Sequence, residues 1–259
     1  MPSKPPQLTA FNAAAFQLQS VVDAYHLRTP YPPELTDMLL DLDSGDRGPV
    51  LELGCGTGEI TRALAPHVSR IDAVDISAPM LERARSMPGG DAPSIRWIES
   101  PAESLAYDGP YSLVVSGDAL HWMDWEVVVP AVRDALSPDG RLVIVSAGEA
   151  PSASDDAILE LIRQHSAIQD HHPYTLAEEL AKRGLFDVAG QHDSARMPFR
   201  RSVTEYVDGL HATSGLPRDR MAAPDDFDRE VRAILEPQAT DGLLELQAFA
   251  RIWWGRPTG

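Results

Sequence analysis

Residues 51–60 read LELGCGTGEI, an apolar run that leads directly into three closely spaced glycines. The run is typical of a buried strand, and a helix is expected to begin near Glu59. Glycine lets the backbone turn tightly and approach a ligand closely, so this strand-to-helix turn indicates a cofactor site. Similar turns also occur where a chain merely packs closely, and the glycines alone leave both interpretations open.

A carboxylate follows the glycines at an informative distance. Asp75 ends the next predicted strand and comes about 20 positions after Gly54, the spacing at which an acidic side chain reaches a ribose hydroxyl. The strand, the glycines and Asp75 together favour a nucleoside-bearing cofactor over simple close packing.

The residue that opens the helix separates two classes of cofactor. The nicotinamide fingerprint requires glycine or alanine three positions after its second glycine, and that position holds Glu59. A carboxylate there repels a pyrophosphate, whereas S-adenosylmethionine has no phosphate and carries a sulfonium and an ammonium. Glu52 and Glu59 therefore favour the methyl donor and disfavour a nicotinamide oxidoreductase.

Short apolar runs alternate with helical segments along the middle of the chain. The runs lie at 49–53, 71–75, 95–98, 113–115 and 142–145. This spacing predicts βαβ units and a parallel sheet. Further on, helices are expected between about 200 and 238, and residues 243–254 are apolar and aromatic enough for a closing strand.

The chain is expected to form one catalytic domain in three parts. Residues 1–45 predict a helical cap, 46–150 the cofactor-binding core, and 151–259 the remaining strands with a helical lid insertion. A chain of 259 residues can bury one substantial core without dividing into separate domains.

Composition excludes several function classes. Lys and Arg number 22 against 39 Asp and Glu, and the net charge of −17 repels phosphate backbones, which argues against a nucleic-acid partner. Cys55 is the single cysteine, so neither an internal disulfide nor a cysteine-based zinc cluster can form, and we predict no metal site. No apolar run is long enough for a membrane span. We expect a cytoplasmic monomer or homodimer.

Residues 51–58 resemble the first motif of class I S-adenosylmethionine-dependent methyltransferases, and later segments follow that family's order over roughly residues 25–147. The resemblance implies an α/β fold, with a Rossmann-like seven-stranded, mostly parallel sheet, helices on both faces and an antiparallel last strand. It implies S-adenosyl-L-methionine as cofactor and S-adenosyl-L-homocysteine as product. Residues 119–122, Ala-Leu-His-Trp, are similar to the trans-aconitate-methyltransferase-like subgroup, which favours a small-molecule acceptor methylated on oxygen, either carboxylate or hydroxyl.

The same resemblance implies a set of donor-binding residues. Asp75 is expected to bind the ribose hydroxyls, and Ile76 and Met80 are expected to pack against the adenine. Packing in the protein core explains Met80 almost as well. Pro101 stands where the family usually has an acidic residue, which leaves the backbone of Ala102 to contact the adenine. The full set is Tyr25, Arg28, Glu52, Gly54, Cys55, Gly56, Asp75, Ile76, Met80, Pro101, Ala102 and Glu103.

Candidate catalytic and acceptor-binding residues follow the fourth strand. His121 is predicted either as a general base or substrate-orienting group or as a structural histidine beside the cofactor. Trp122, His171 and His172 are predicted to contact the acceptor. Acceptor nitrogen or carbon stays open, as does a protein of this fold that binds the cofactor structurally and catalyses a non-methylating reaction or only binds a ligand.

Overall fold

The apolar runs of the core form parallel strands. The computed structural model describes residues 4–43, 47–168 and 172–258. Its first five strands pair in the order β3-β2-β1-β4-β5, and every neighbouring pair is parallel. They are β1 (Pro49–Leu53), β2 (Arg70–Asp75), β3 (Ile95–Glu99), β4 (Tyr111–Gly117) and β5 (Leu136–Glu149).

Three later strands complete the sheet within the described ranges: β6 (Phe186–Asp193), β7 (Met197–Ser202) and β8 (Leu243–Pro257). The closing strand β8 runs antiparallel between β5 and β6, which confirms the predicted seven-strand path with its antiparallel last strand. Strand β7 is an eighth strand that the sequence pattern did not predict. It pairs with residues 243–248 of β8, most of which lie beyond the partners of β5.

Helices cover both faces of this sheet. Of the α-helices in the described ranges, three precede β1, three connect the parallel strands, and four follow β5. They are α1 (Ala10–Ala13), α2 (Gln19–Ala24), α3 (Glu34–Leu42), α4 (Glu59–Leu64), α5 (Ala78–Ser86), α6 (Trp125–Ala135), α7 (Asp155–His165), α8 (Leu176–Lys182), α9 (Val203–Leu210) and α10 (Pro224–Leu235). No helix among the described residues is both long and apolar enough to span a bilayer.

Two apolar layers hold the helices to the sheet. Helices α6 and α8 pack on the face that includes Leu51 and Val114. Helices α3 and α4 pack on the opposite face, against Val50 and Leu113. Because successive side chains of a strand point to opposite faces, neighbouring apolar residues divide between the two layers, and the central strands are apolar almost throughout.

A third apolar cluster forms the core of an insertion between β5 and β8. Helices α7, α9 and α10 contribute Ile158, Val207, Phe227 and Val231, and β8 contributes Leu244. Helices α9 and α10 lie in the region where the sequence predicts inserted helices.

The N-terminal segment is fixed to this insertion. The carbonyl of Phe11 accepts a hydrogen bond from Arg220, and the hydroxyl of Ser20 donates to Asp219. We call residues 10–25 the N-terminal roof, because several of its side chains cover the cavity described below.

Candidate active site

The loop after β1 is folded tightly by its glycines. Gly54, Gly56 and Gly58 have φ angles of 72°, 53° and 74°, a left-handed conformation that costs glycine little. A Cβ atom on Gly54 would lie 2.3 Å from the Cβ of Ala119, in the loop after β4. The two loops are therefore in close contact at the carboxyl edge of the sheet, where ligands bind in open α/β folds.

Asp75 at the end of β2 joins this loop to the next one. Its Oδ2 accepts the backbone N–H of Gly56 at 2.8 Å, and its Oδ1 accepts the N–H of Ser77 at 2.8 Å. Burial raises the pKa of Asp75, and the backbone N–H groups that it accepts oppose that shift. Each carboxylate oxygen has further lone-pair capacity, so the side chain can also accept bonds from ligand hydroxyls.

A cavity of about 350 Å³ opens beside Asp75, within the range of small-ligand sites. Its roof is apolar and comes from Ala10, Ala13, Ala14 and Phe16. Ile76 is 55% exposed, a large apolar surface at the cavity wall. Ten of the residues predicted to bind ligand line this first cavity, namely Tyr25, Gly54, Gly56, Asp75, Ile76, Met80, Pro101, Ala102, Glu103 and Trp122.

Three predicted donor residues do not line the first cavity. Cys55 and Glu52 are buried behind the glycine loop, where Glu52 accepts a hydrogen bond from the hydroxyl of Thr61. Arg28 lies with its Cζ 5.2 Å from the ring centroid of Tyr25 and donates to the Tyr25 hydroxyl at 3.3 Å. These groups support the cavity wall from behind.

The buried carboxyl group of Glu52 gives folding stability a pH dependence. Burial raises the pKa of Glu52 to about 8, from an ordinary value of 4.5. The folded state keeps this proton over a pH range where the unfolded state has released it, so stability falls as pH rises from 4.5 towards about 8. Glu52→Gln keeps a neutral hydrogen-bonding group that cannot ionise. We expect its free energy of unfolding to exceed that of wild type above pH 8, with the difference shrinking on acidification.

Urea unfolding at a series of pH values checks this prediction. Glu82→Gln on the exposed face of α5 is the matched control and should follow wild type throughout. A Glu52→Gln profile parallel to wild type at every pH would contradict it.

His121 and Trp122 occupy a short 3₁₀ helix, Leu120–Trp122, directly after β4. Their ring centroids are 4.6 Å apart. Burial lowers the pKa of His121 to about 3, and the positive charges of Arg28 and Lys4 contribute to this shift. The imidazole is therefore neutral at physiological pH. The indole Nε1 of Trp122 is buried without a hydrogen-bond partner in the described part of the chain.

His121 lines a second cavity rather than the first. This cavity has a volume of about 260 Å³ and shares Asp118 and Ala119 with the first cavity. Its lining consists of Ser116, Asp118, Ala119, Leu120, His121, Ile144, Val145, Ser146, Tyr174, Thr175, Leu176, Arg251 and Trp253.

Of the two histidines predicted to contact the acceptor, the structure describes His172. His172 is exposed and lines neither cavity. The side chain of Gln7 accepts its backbone N–H at 3.3 Å and donates to its carbonyl at 2.7 Å. Tyr174 instead reaches the second cavity from this segment. His171 lies outside the described residues.

Sequence reasoning missed Asp118, which follows β4 immediately. It borders the first and second cavities and also a third, of about 80 Å³, which Arg28, Tyr31 and Glu59 line as well. The only signal for it was its place at the carboxyl end of a parallel strand.

The core of the chain matches a family of known proteins. A family profile described as a methyltransferase domain matches residues 50–140. The trans-aconitate 2-methyltransferase of Streptomyces coelicolor is 28% identical in an alignment that covers 79% of this chain and 76% of that protein. Several other curated relatives are matched over only 41 to 49% of their length, so the chain spans less than half of each.

Solved structures share the fold at low identity. A structure from Anaeromyxobacter dehalogenans assigned to the type II methyltransferases has a TM-score of 0.61 and 22% identity, covering 88% of this chain and 97% of that chain. The [4+2]-cyclase SpnF has a TM-score of 0.58 and 16% identity, covering 99% and 98%. These similarities concern the fold alone.

Proposed function

From the premise that residues 50–140 are a class I S-adenosylmethionine-dependent methyltransferase domain, we propose that the chain transfers a methyl group from S-adenosylmethionine to a small-molecule acceptor. S-adenosylhomocysteine is the second product. The observation that carries the proposal is the first cavity, in which the glycine loop, Asp75 and a mostly apolar lining meet.

The chain's own residues fit this donor. Asp75 can accept bonds from both ribose hydroxyls, while Ile76 and Met80 offer apolar surface to the adenine. The glycine loop and Tyr25 would hold the methionine end, and Arg28 behind Tyr25 would balance a carboxylate there. Glu59 opens α4 directly after the glycine loop and places a carboxyl group at that helix start, which suits a cationic donor better than a pyrophosphate.

The donor supplies an electrophilic methyl on a sulfonium, so the protein's task is to align the acceptor and exclude water. The N-terminal roof covers one side of the first cavity and thereby limits access of water. His121 is neutral and a weak base, so we assign it the role of holding an acceptor by hydrogen bonding rather than of removing a proton. Trp122, at the wall of the first cavity, bounds the space for the methyl group.

Calorimetric titration of the purified protein with S-adenosylmethionine and S-adenosylhomocysteine tests the donor site, with NADH as control. We expect both sulfur ligands to bind with dissociation constants on the order of micromolar, and NADH not to bind. Failure of both sulfur ligands to bind, or tighter binding of NADH, would refute the proposal.

The [4+2]-cyclase SpnF shares this fold, so a non-methylating reaction is the second candidate function for this chain. Mass spectrometry distinguishes the two functions, because methyl transfer converts the bound donor to S-adenosylhomocysteine when an acceptor is present. A donor that binds and is never converted would favour the alternative.

A further inference from the structure

The second cavity adjoins the proposed donor site. Asp118 and Ala119 line both cavities, so the two cavities adjoin at these residues. The His121 turn after β4 and Ser146 on β5 form part of its wall, and Tyr174 closes it from the segment before α8. Its volume of about 260 Å³ is just below the usual range of pockets for drug-sized ligands, so it suits a small, compact molecule.

Among the described residues, the lining of the second cavity contains no uncompensated positive charge. Arg251 is its one cationic side chain, and both its Nε and Nη2 donate to the carboxylate of Asp193 at 2.6 Å. The guanidinium is also close to the Trp253 ring, with its Cζ 5.8 Å from the ring centroid. His121 is neutral. A carboxylate ligand would therefore find no free cation among the described lining residues.

The other charged side chain in the described lining is the carboxylate of Asp118, which Arg28 balances in part from outside the cavity. Asp118 has a backbone φ of 48°, in the left-handed region. Few residues other than glycine adopt this conformation, and those that do are often found at functional sites. Its Oδ2 accepts the N–H of Ala147 at 3.1 Å and the hydroxyl of Tyr31 at 3.5 Å. Arg28 approaches the same oxygen at 4.0 Å. The second oxygen, Oδ1, has no hydrogen-bond partner within the described chain.

Beside the hydroxyl residues Ser116, Ser146 and Thr175, the lining offers apolar surface that is suited to a flat molecule. Tyr174 and Trp253 supply aromatic surface, and Leu120, Ile144 and Leu176 supply aliphatic surface. Aromatic rings pack favourably in offset or edge-to-face contact with such side chains.

We propose that the second cavity receives the methyl acceptor and that Asp118 selects a hydroxyl group on an aromatic body, excluding carboxylic acids. The inference rests on the proposed methyltransferase function and narrows its acceptor. A carboxylate beside the reacting atom repels an anionic acceptor but accepts a hydrogen bond from an un-ionised hydroxyl.

The step balances as an in-line displacement. A lone pair of the acceptor oxygen forms the bond to the methyl carbon, and the carbon–sulfur bond breaks with its electron pair passing to sulfur. The sulfonium becomes the neutral thioether of S-adenosylhomocysteine. The hydroxyl proton passes to Oδ1 of Asp118 and from there to solvent, so the carboxylate is regenerated.

A paired panel of acceptors tests the selectivity. Each aromatic alcohol or phenol is matched with the carboxylic acid on the same ring skeleton, and S-adenosylhomocysteine formation from S-adenosylmethionine is measured by mass spectrometry. We expect product only with the hydroxyl compounds, as methyl ethers. Methyl esters from the acids, or no product with any hydroxyl compound, would overturn the proposal.

Two variants test the location. Ser146→Phe fills the second cavity from a residue that does not line the first, and Asp118→Asn removes the charge at nearly constant shape. Each should lower turnover of the hydroxyl acceptor by about 100-fold. Asp139→Asn, exposed and outside both cavities, is the matched control and should turn over as wild type.

Calorimetry with S-adenosylhomocysteine separates failure of this inference from failure of the proposed function. If wild type does not bind the ligand, the methyltransferase function itself is wrong. If Ser146→Phe binds it and retains full turnover, the acceptor site is elsewhere. Should Ser146→Phe misfold and lose the ligand, Asp118→Asn decides alone, and unchanged turnover there contradicts the inference.

Discussion

Asp75→Ala is expected to weaken S-adenosylhomocysteine binding by at least about 100-fold. Asp75 is assigned two hydrogen bonds to the ribose hydroxyls, and each hydrogen bond to a charged group contributes roughly 1.5–3 kcal/mol. The variant also frees the N–H groups of Gly56 and Ser77, which the carboxylate holds at 2.8 Å. The glycine loop would thus lose its fixed position as well as a ligand contact. Calorimetric titration measures the effect.

Asp91→Ala is the control for this result, since Asp91 is exposed and lies outside the first cavity. Circular dichroism of both variants establishes that the fold is retained. If Asp75→Ala folds and binds S-adenosylhomocysteine as tightly as wild type, the assignment of this cavity to the donor nucleoside is incorrect.

Trp125→Ala is expected to lower the free energy of unfolding by about 3–5 kcal/mol, the range for removal of a fully buried aromatic side chain. Trp125 is 1% exposed and opens α6. Its indole N–H donates to the carbonyl of Leu120 at 2.9 Å, so it also fixes the turn that carries His121. The Nζ of Lys4 lies 4.4 Å from its ring centroid. Urea denaturation with a linear extrapolation measures the loss.

Trp122→Ala provides the comparison within the same segment. Trp122 is only partly buried and its indole N–H has no partner among the described residues, so its removal should cost clearly less stability. Because Trp122 lines the first cavity, we expect weaker ligand binding instead. If Trp125→Ala lowers the free energy of unfolding by no more than Trp122→Ala does, the structural role assigned to Trp125 is wrong.

The parallel core and much of the donor site were predictable because their signals are local. Strands buried on both faces appear as continuous apolar runs, as at 49–53 and 71–75. The glycine loop is one short segment, and the place of Asp75 follows from its spacing to that loop. Motif order then identified Pro101, Ala102 and Glu103, which line the same cavity.

Features that depend on distant parts of the chain were not predictable. Strand β7 forms because β8 is long enough to pair beyond β5, which no local pattern reveals. The alanines of the N-terminal roof carry no chemical signal and matter only through the cavity that they cover. Asp118 has an ordinary sequence context, and its importance arises where three cavities meet.

The attachment of the N-terminal roof has a consequence for the order of folding. Ser20 and Asp219 are separated by 199 residues along the chain, and Phe11 and Arg220 by 209. During synthesis the roof emerges well before these partners, so the two contacts form only after strands β1 to β5 have been synthesised. Contacts between such distant residues carry a large loop-closure cost and form slowly. The attachment of the roof to the insertion is therefore a late step, and it follows the packing of the roof beside α5, whose contacts through Ser77 and Met80 join residues much nearer along the chain.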